Sequence, residues 1–214
     1  MKSILLFLFL ACSVLSVNAQ KQVKSGLLIN GGFGSVNPEF KLPLEGYINF
    51  SQVDYKMNLS VGYRFRFLNS FSNPSVFIDW DMYIGMKSWN STYRRSYIES
   101  PAYDGSTPNY NEPPIFAAST QYYFVSTGGS VNYILYRGLS LGVGLEPSYV
   151  LFQEGENNTK KFDAPLLGKL AYDFGFMEVG VNYKYGLTNM IKTDRINSGK
   201  FRDWQVSVFI PLSK

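Results

Sequence analysis

Residues 54–68, DYKMNLSVGYRFRFL, alternate between apolar and polar side chains along the whole segment. The apolar or aromatic positions are Tyr55, Met57, Leu59, Val61, Tyr63, Phe65 and Phe67. A two-residue period places them on one face of a β-strand and the polar residues on the other. Strands in globular proteins usually have about 5–6 residues. The segment therefore predicts an unusually long strand with two chemically different environments.

Similar alternating segments recur along the chain, and no helical period competes with them. They lie at about 24–35, 54–68, 75–88, 116–136, 139–152, 163–173, 176–188 and 203–212. Short turns follow the second, fourth and sixth segments, whereas longer polar connections follow the first, third, fifth and seventh. The pattern predicts an all-β fold with eight antiparallel strands.

Strand length favours a membrane. A strand of about 13 residues, at roughly 3.3 Å per residue and tilted by about 40°, rises on the order of 33 Å. That distance spans the apolar band of an outer-membrane barrel, about 25 Å tall. Since backbone groups in lipid must all be paired, the sheet has to close. We therefore expect an eight-stranded, antiparallel, up-and-down transmembrane β-barrel surrounded by outer-membrane lipid.

A soluble barrel of the periplasm, similar to a lipocalin, is the alternative with the same period. Its apolar side chains would point inward and bind a small apolar ligand. Two features favour the membrane: the short turns all fall at one end of the strands, and aromatic residues such as Tyr63, Phe67 and Trp204 lie near strand ends, where rings contact lipid headgroups.

The N-terminal residues MKSILLFLFLACSVLSVNAQ have a basic start, an apolar run and a small-residue exit at Val17-Asn18-Ala19. This pattern predicts a secretory signal peptide over residues 1–19, which leaves a barrel domain at 20–214. Lipidation at Cys12 is the competing interpretation. Because the predicted signal peptide directs export and one face of each strand is apolar, the sequence predicts that the protein lies in the outer membrane of the cell.

The segment YKYGLTNM, residues 183–190, resembles the tyrosine-rich Y-x-Y-G-L-T-N segment of the seventh strand in PorT-like outer-membrane barrels of Bacteroidetes. The last strand, DWQVSVFIPL, is similar in style. The resemblance implies a small outer-membrane barrel of the OmpA/OmpX type. Because one member of that family is tied to protein secretion, it also implies an accessory role in secretion.

Catalytic chemistry is poorly represented in the sequence. The chain contains no histidine, and its one cysteine, Cys12, lies in the predicted signal peptide. Internal Ser-His-Asp triads and histidine-based metal sites are therefore excluded. Charged residues make up only 17% of the chain and the net charge is +4, which gives no indication of nucleic-acid binding. We expect a non-enzymatic protein without cofactor or metal.

Four charged residues of the second and third strands, Arg64, Arg66, Asp79 and Asp81, are predicted to share one face. If the residue numbers of paired positions across the turn at 69–74 add up to an odd number, the arginines lie opposite or diagonal to the acids on the lumenal side. Asp79 and Asp81 are close enough for acid–base chemistry, but charges in a narrow lumen have to be paired. We therefore interpret them as an ion-pair cluster. The same arithmetic allows Glu178 to face Lys169.

The connection at 89–114 is rich in Pro, Asn, Ser and Tyr and predicts a loop. It carries residue types that dominate interface hot spots. These are Trp89, Tyr93, Arg94, Arg95, Tyr97, Tyr103 and Tyr110. They predict contact with other envelope proteins; the alternative is a rim loop that rests on headgroups. The sequence thus predicts a membrane anchor that displays loops, as a monomer or within a complex.

Overall fold

The computed structural model describes residues 23–40, 47–54, 56–68, 71, 73–97, 115–155, 160–190 and 196–212, and only the backbone at 37–40, 47–54, 90–97, 115–119 and 196–198. The regular elements are β1 (Val23–Phe40), β2 (Tyr47–Asp54), β3 (Lys56–Phe67), β4 (Val76–Tyr97), β5 (Ile115–Tyr136), β6 (Leu139–Leu145), β7 (Ser148–Glu154), β8 (Phe162–Asp163), β9 (Leu166–Asp173), β10 (Glu178–Tyr185) and β11 (Ile196–Pro211). In this part of the chain, no helix is long and apolar enough to cross a membrane.

The eleven segments build eight barrel strands. β2 and β3 pair with successive parts of β4, and β6 and β7 pair with successive parts of β5. β8 and β9 lie beside β7 and β6. Neighbours in the sheet follow the order β4, β3, β1, β11, β10, β9, β6 and β5, and pairing of β4 with β5 closes the ring. The predicted closed, eight-stranded, antiparallel barrel is confirmed.

The alternation in the sequence separates an inner from an outer face. On β3, Asn58, Ser60 and Arg64 are buried, whereas Leu59 and Val61 are exposed. The same division holds on the other strands because neighbouring strands keep inward positions in register. The interior therefore holds the polar and charged side chains together with a cluster of buried aromatic and aliphatic residues, and the exterior is apolar.

The two ends of the barrel differ. At one end, short turns join β5 to β6 and β9 to β10. The first of these has positive φ at both Arg137 and Gly138, as a two-residue hairpin turn requires. The first residues of β1 and the last residues of β11 lie at the same end of the barrel, where the Leu212 N–H donates to the Ser25 carbonyl at 2.8 Å. We call this the lower end and the opposite one the upper end.

Strand bounds differ from the prediction mainly at the upper end. β4 continues to Tyr97 instead of ending at 88, and β2 lies in a segment predicted as a connection. Both extensions pair with each other, from Asp54 opposite Asn90 to Tyr47 opposite Tyr97. Backbone pairing therefore continues beyond the part of the sequence that alternates.

Prolines interrupt two predicted strands. Pro147 separates β6 from β7, and Pro165 separates β8 from β9. Proline has no N–H to give to a neighbouring strand, but its carbonyl still accepts. Thr127 N donates to Pro147 O, and Glu146 N donates to Pro165 O, each at 3.0 Å. The wall stays continuous at both breaks.

Candidate functional site

The hairpin of β3 and β4 positions the first four charged residues of the lumen. Its register places Arg64 opposite Asp81 and Arg66 opposite Asp79. Arg64 Nε and Nη2 donate to the two Asp81 oxygens at 2.6 and 2.8 Å. Arg66 Nε and Nη2 donate to the two Asp79 oxygens at 2.7 and 2.9 Å. Both contacts have the bidentate geometry of strong arginine–carboxylate pairs.

Lys169 of β9 and Glu178 of β10 complete this cluster from the other side of the barrel. Lys169 Nζ lies 2.8 Å from Asp79 Oδ2 and 2.8 Å from Glu178 Oε1. Glu178 also contacts Arg64 Nη1 at 2.9 Å and Arg66 Nη1 at 2.7 Å. We call the six residues Arg64, Arg66, Asp79, Asp81, Lys169 and Glu178 the lower layer.

The lower layer is buried and electrically balanced. It contains three cationic and three anionic side chains, and Asp79 is completely inaccessible to solvent. Aromatic rings pack on the guanidinium groups, with Arg66 Cζ 4.4 Å from the ring centre of Phe77 and Arg64 Cζ 5.3 Å from that of Phe209. An eight-stranded barrel has an interior just wide enough for side chains. Here these side chains fill it.

The geometry favours ion pairing over acid–base chemistry at Asp79 and Asp81. Every carboxylate of the lower layer accepts charge-assisted hydrogen bonds from a guanidinium or ammonium group. All three carboxylates therefore serve as partners of ion pairs in this arrangement. Within the described residues, no group of three or more His, Cys, Asp or Glu side chains could hold a metal ion.

A second set of buried charges lies higher in the lumen, and the sequence pattern does not predict it. Lys87 of β4 forms an ion pair with Asp203 of β11. Lys184 of β10 donates to Glu146 Oε1 at 2.7 Å and to the Tyr83 hydroxyl at 2.8 Å. We call these five residues the upper layer. Alternation along each strand can place a charged residue in the lumen. It cannot identify the ion-pair partner when the two residues lie on strands that are not adjacent.

Uncharged polar side chains separate the two layers. Gln205 of β11 and Asn182 of β10 are opposite each other in the sheet and both are buried. Neither amide atom of Gln205, nor Asn182 Oδ1, has a hydrogen-bond partner among the described residues. These two buried amides thus lie between the ion pairs of the two layers.

The predicted loop residues lie in two settings. Trp89 is not in a loop: it belongs to β4, and its side chain is buried, with 1% of its surface exposed. Strand pairing with β5 explains the correction, because Trp89 lies opposite Thr120. Tyr93, Arg94, Arg95 and Tyr97 belong to the β4 backbone, but their side chains lie outside the described residues, as do Tyr103 and Tyr110 entirely.

The outer wall is the reverse of what a lipocalin-like barrel needs. Apolar side chains such as Ile84 and Val143 are more than half exposed, at 60% and 66%. Aromatic residues lie toward both ends of this surface, with Tyr172 and Phe174 in ring contact near a lower turn and Phe152 and Phe162 exposed near the upper end. A charged interior within an apolar exterior is stable in lipid and not in water. The protein is a membrane-spanning β-barrel.

Comparison with solved structures finds other small barrels. The surface protein NspA of Neisseria matches with 8% identity and a TM-score of 0.47, over 89% of this chain and 99% of that one. Ail of Yersinia pestis, an attachment invasion locus protein solved with a heparin analogue, matches with 10% identity and a TM-score of 0.41, over 88% and 98%. OprG from Pseudomonas aeruginosa matches with 12% identity and a TM-score of 0.38, over 88% and 94%.

No family model matches the chain, and no curated protein matches it. The resemblance to PorT-like barrels therefore stays a prediction. In the structure, the first part of its motif forms the end of β10, where the Tyr183 ring lies 4.6 Å from that of Trp204 on the outer wall and Lys184 points into the lumen. The predicted signal peptide lies outside the described residues.

Proposed function

We propose that this protein is a non-enzymatic outer-membrane barrel that does not conduct and that anchors its long upper connections at the cell surface for contact with other envelope components. The lower layer is the observation that carries the proposal. Six interlocked side chains occupy the lumen between β3, β4, β9 and β10, and a solute would have to break several buried ion pairs to pass.

The upper end supports the display of loops. β4 and β5 stay paired up to Arg94 opposite Ile115, and β2 continues the sheet to Tyr47. These pairs lie well above the lower layer. There β4 is paired with β2 on one side and with β5 on the other, close to the start of the connection that follows Tyr97. The absence of histidine from the chain and the engagement of each lower-layer carboxylate by a cation support a role other than catalysis.

Conductance of the refolded protein in a planar bilayer tests the closed lumen. We expect no stepwise current increments for the natural chain. The matched variant replaces Lys169 and Glu178 together by Ala, which removes one cation and one anion and preserves the net charge. This variant should show small channels. Stepwise currents of the natural chain, insensitive to these substitutions, would contradict the proposal.

Cysteine labelling of intact cells tests the orientation. Glu154 is exposed at the upper end of β7 and Phe174 is exposed in a lower turn. With Cys12 as the only natural cysteine, Glu154→Cys should react with a membrane-impermeant maleimide on whole cells. Phe174→Cys should react only after the cells are lysed. The opposite pattern would reverse the barrel and overturn the display of the upper connections.

A further inference from the structure

The outer wall contains a concave apolar groove across β3, β4, β5, β7 and β8. Its volume is about 540 Å³. The outward side chains that line it are almost entirely apolar, and all of them except the half-buried Tyr63 are exposed. They are Val61, Tyr63, Met82, Ile84, Val125, Tyr149 and Phe162.

The interruption at Pro147 explains why the wall is hollow here. Pro147 and Thr127 line the groove with short side chains, whereas large residues such as Met82 and Tyr149 border them. The Thr127 hydroxyl accepts a hydrogen bond from Trp80 Nε1 at 2.8 Å. The hydroxyl of this short side chain is therefore already paired, and the floor of the groove is apolar.

Two exposed lysines lie beside the upper end of this groove. Lys160 and Lys161 directly precede Phe162, a lining residue that pairs with Tyr149. Backbone hydrogen bonds hold both lysines in place: Lys160 N donates to Met190 O at 2.8 Å, and Val150 N donates to Lys161 O at 2.7 Å. The apolar groove thus leads upward to a segment whose backbone is held by hydrogen bonds and which carries two exposed lysines.

We propose that this groove is a lipid-binding site that takes one acyl chain of a phosphorylated lipid, whose phosphate contacts Lys160 and Lys161. A smooth lipid-facing wall does not discriminate, because lipid tails are as apolar as the side chains that they contact. A concave site adds dispersion contacts along one chain, and lysines near the membrane surface attract anionic headgroups. The two features together select chain and headgroup.

The groove continues the lipid-contacting wall, which is why we commit to a lipid and not to a protein partner. The leaflet depends on the orientation proposed above, and is the outer one if the upper end faces outward. Binding itself does not depend on that orientation. A reversed barrel would therefore change the leaflet and leave the measurement below unchanged.

Native mass spectrometry of the refolded barrel in non-ionic detergent can measure the binding. The probes are dimyristoyl phosphatidic acid, dimyristoyl phosphatidylcholine with the same chains, and dihexanoyl phosphatidic acid with the same headgroup. We expect the long-chain phosphatidic acid to bind about 10-fold more tightly than either comparison lipid. Equal binding of all three would mean ordinary annular lipid only and would overturn the proposal.

Variants separate the two halves of the site. Val125→Trp fills the groove, and Val143→Trp makes the same change on a remote part of the outer wall. Lys160→Gln and Lys161→Gln each remove one charge of the site, and Lys200→Gln on β11 removes one charge elsewhere as the matched control. The groove and lysine variants should each lose about 10-fold in affinity for long-chain phosphatidic acid, and both controls should keep it.

Heat-modifiable gel mobility establishes that each variant is folded. If Val125→Trp does not fold, Met82→Trp fills the same groove from β4. A photoactivatable phosphatidic acid adds an independent readout, because its adducts should map to peptides that contain Pro147 to Phe162. Adducts spread evenly around the barrel, or groove variants that bind as well as Val143→Trp, would overturn the site.

Discussion

The lower and upper layers of the lumen contain similar charged side chains and connect them differently. In the lower layer, Asp79 contacts Arg64, Arg66 and Lys169, and Glu178 contacts the same three cations. In the upper layer, Lys87 pairs with Asp203, and Lys184 pairs with Glu146. One layer is a network and the other is a set of pairs.

The difference teaches how a narrow lumen tolerates buried charge. Removal of one partner from a buried pair leaves an uncompensated charge, which is strongly destabilising. In the network, one carboxylate serves three cations, so its removal disturbs all three at once, although each keeps a second anion. In the upper layer, the removal of one charged side chain disturbs fewer groups, and the Asn58 amide also donates to Asp203 at 3.2 Å.

The largest expected effect is that of Asp79→Asn. This substitution keeps the volume of the side chain and leaves three lower-layer cations with one fewer anion, so the layer becomes positively charged. We expect a loss of roughly 3–5 kcal/mol in the free energy of unfolding. Lys87→Met in the upper layer should cost roughly 3 kcal/mol, at the lower limit of this range.

Urea titrations of the barrel in lipid vesicles, followed by heat-modifiable gel mobility, compare the two variants. If Lys87→Met proves more damaging than Asp79→Asn, the number of lost partners does not govern the cost, and the contrast between network and pair fails.

Double-mutant cycles sharpen the comparison at the next level. For the pair of Lys87 and Asp203, we expect a coupling energy of about 2–3 kcal/mol, because the double variant removes both stranded charges. For Arg66 and Asp79, we expect about 1 kcal/mol, because each retains a partner in Glu178 or Lys169. The same urea titrations supply all the free energies, and equal couplings would show that the lower layer behaves as independent pairs.

The smallest effect is expected between the layers. Since the Gln205 amide has no partner among the described residues, Gln205→Met should change the free energy of unfolding by less than about 1 kcal/mol in either direction. Ser207→Ala, on the same face of β11, is a control of similar burial. A loss above roughly 2 kcal/mol at Gln205 would mean that this amide links the two layers, which would then form one continuous network.

Sequence alone indicates the lower layer because its core lies within one hairpin. The short connection between β3 and β4 fixes the register that brings Arg64 opposite Asp81. Alternation and the position of the turn are therefore sufficient to predict this ion pair. Lys87 and Asp203 are both inward by the same parity, but their contact crosses the lumen between strands that do not pair. Such a contact depends on the diameter and stagger of the barrel, which no local pattern specifies.

The other differences have similar physical causes. The sequence predicts a loop at Trp89 because the residues around it do not alternate, yet pairing with β5 continues there. It predicts a continuous strand through Pro147 because the flanking residues alternate, although proline cannot donate to a neighbour. The groove on the outer wall results from that interruption and from side chains of five different strands. It could not be predicted from any one segment.

The seam between β1 and β11 has a consequence for the order of events in assembly. Its residue pairs run from Gly26 opposite Pro211 to Phe40 opposite Ile196, so they join parts of the chain that are synthesised early and late. Until the seam forms, both strands present unpaired backbone groups that hydrocarbon cannot solvate. Stable insertion therefore requires that the seam between β1 and β11 closes. A chain that stops before β11 leaves β1 unpaired on one side and is not stable within the bilayer.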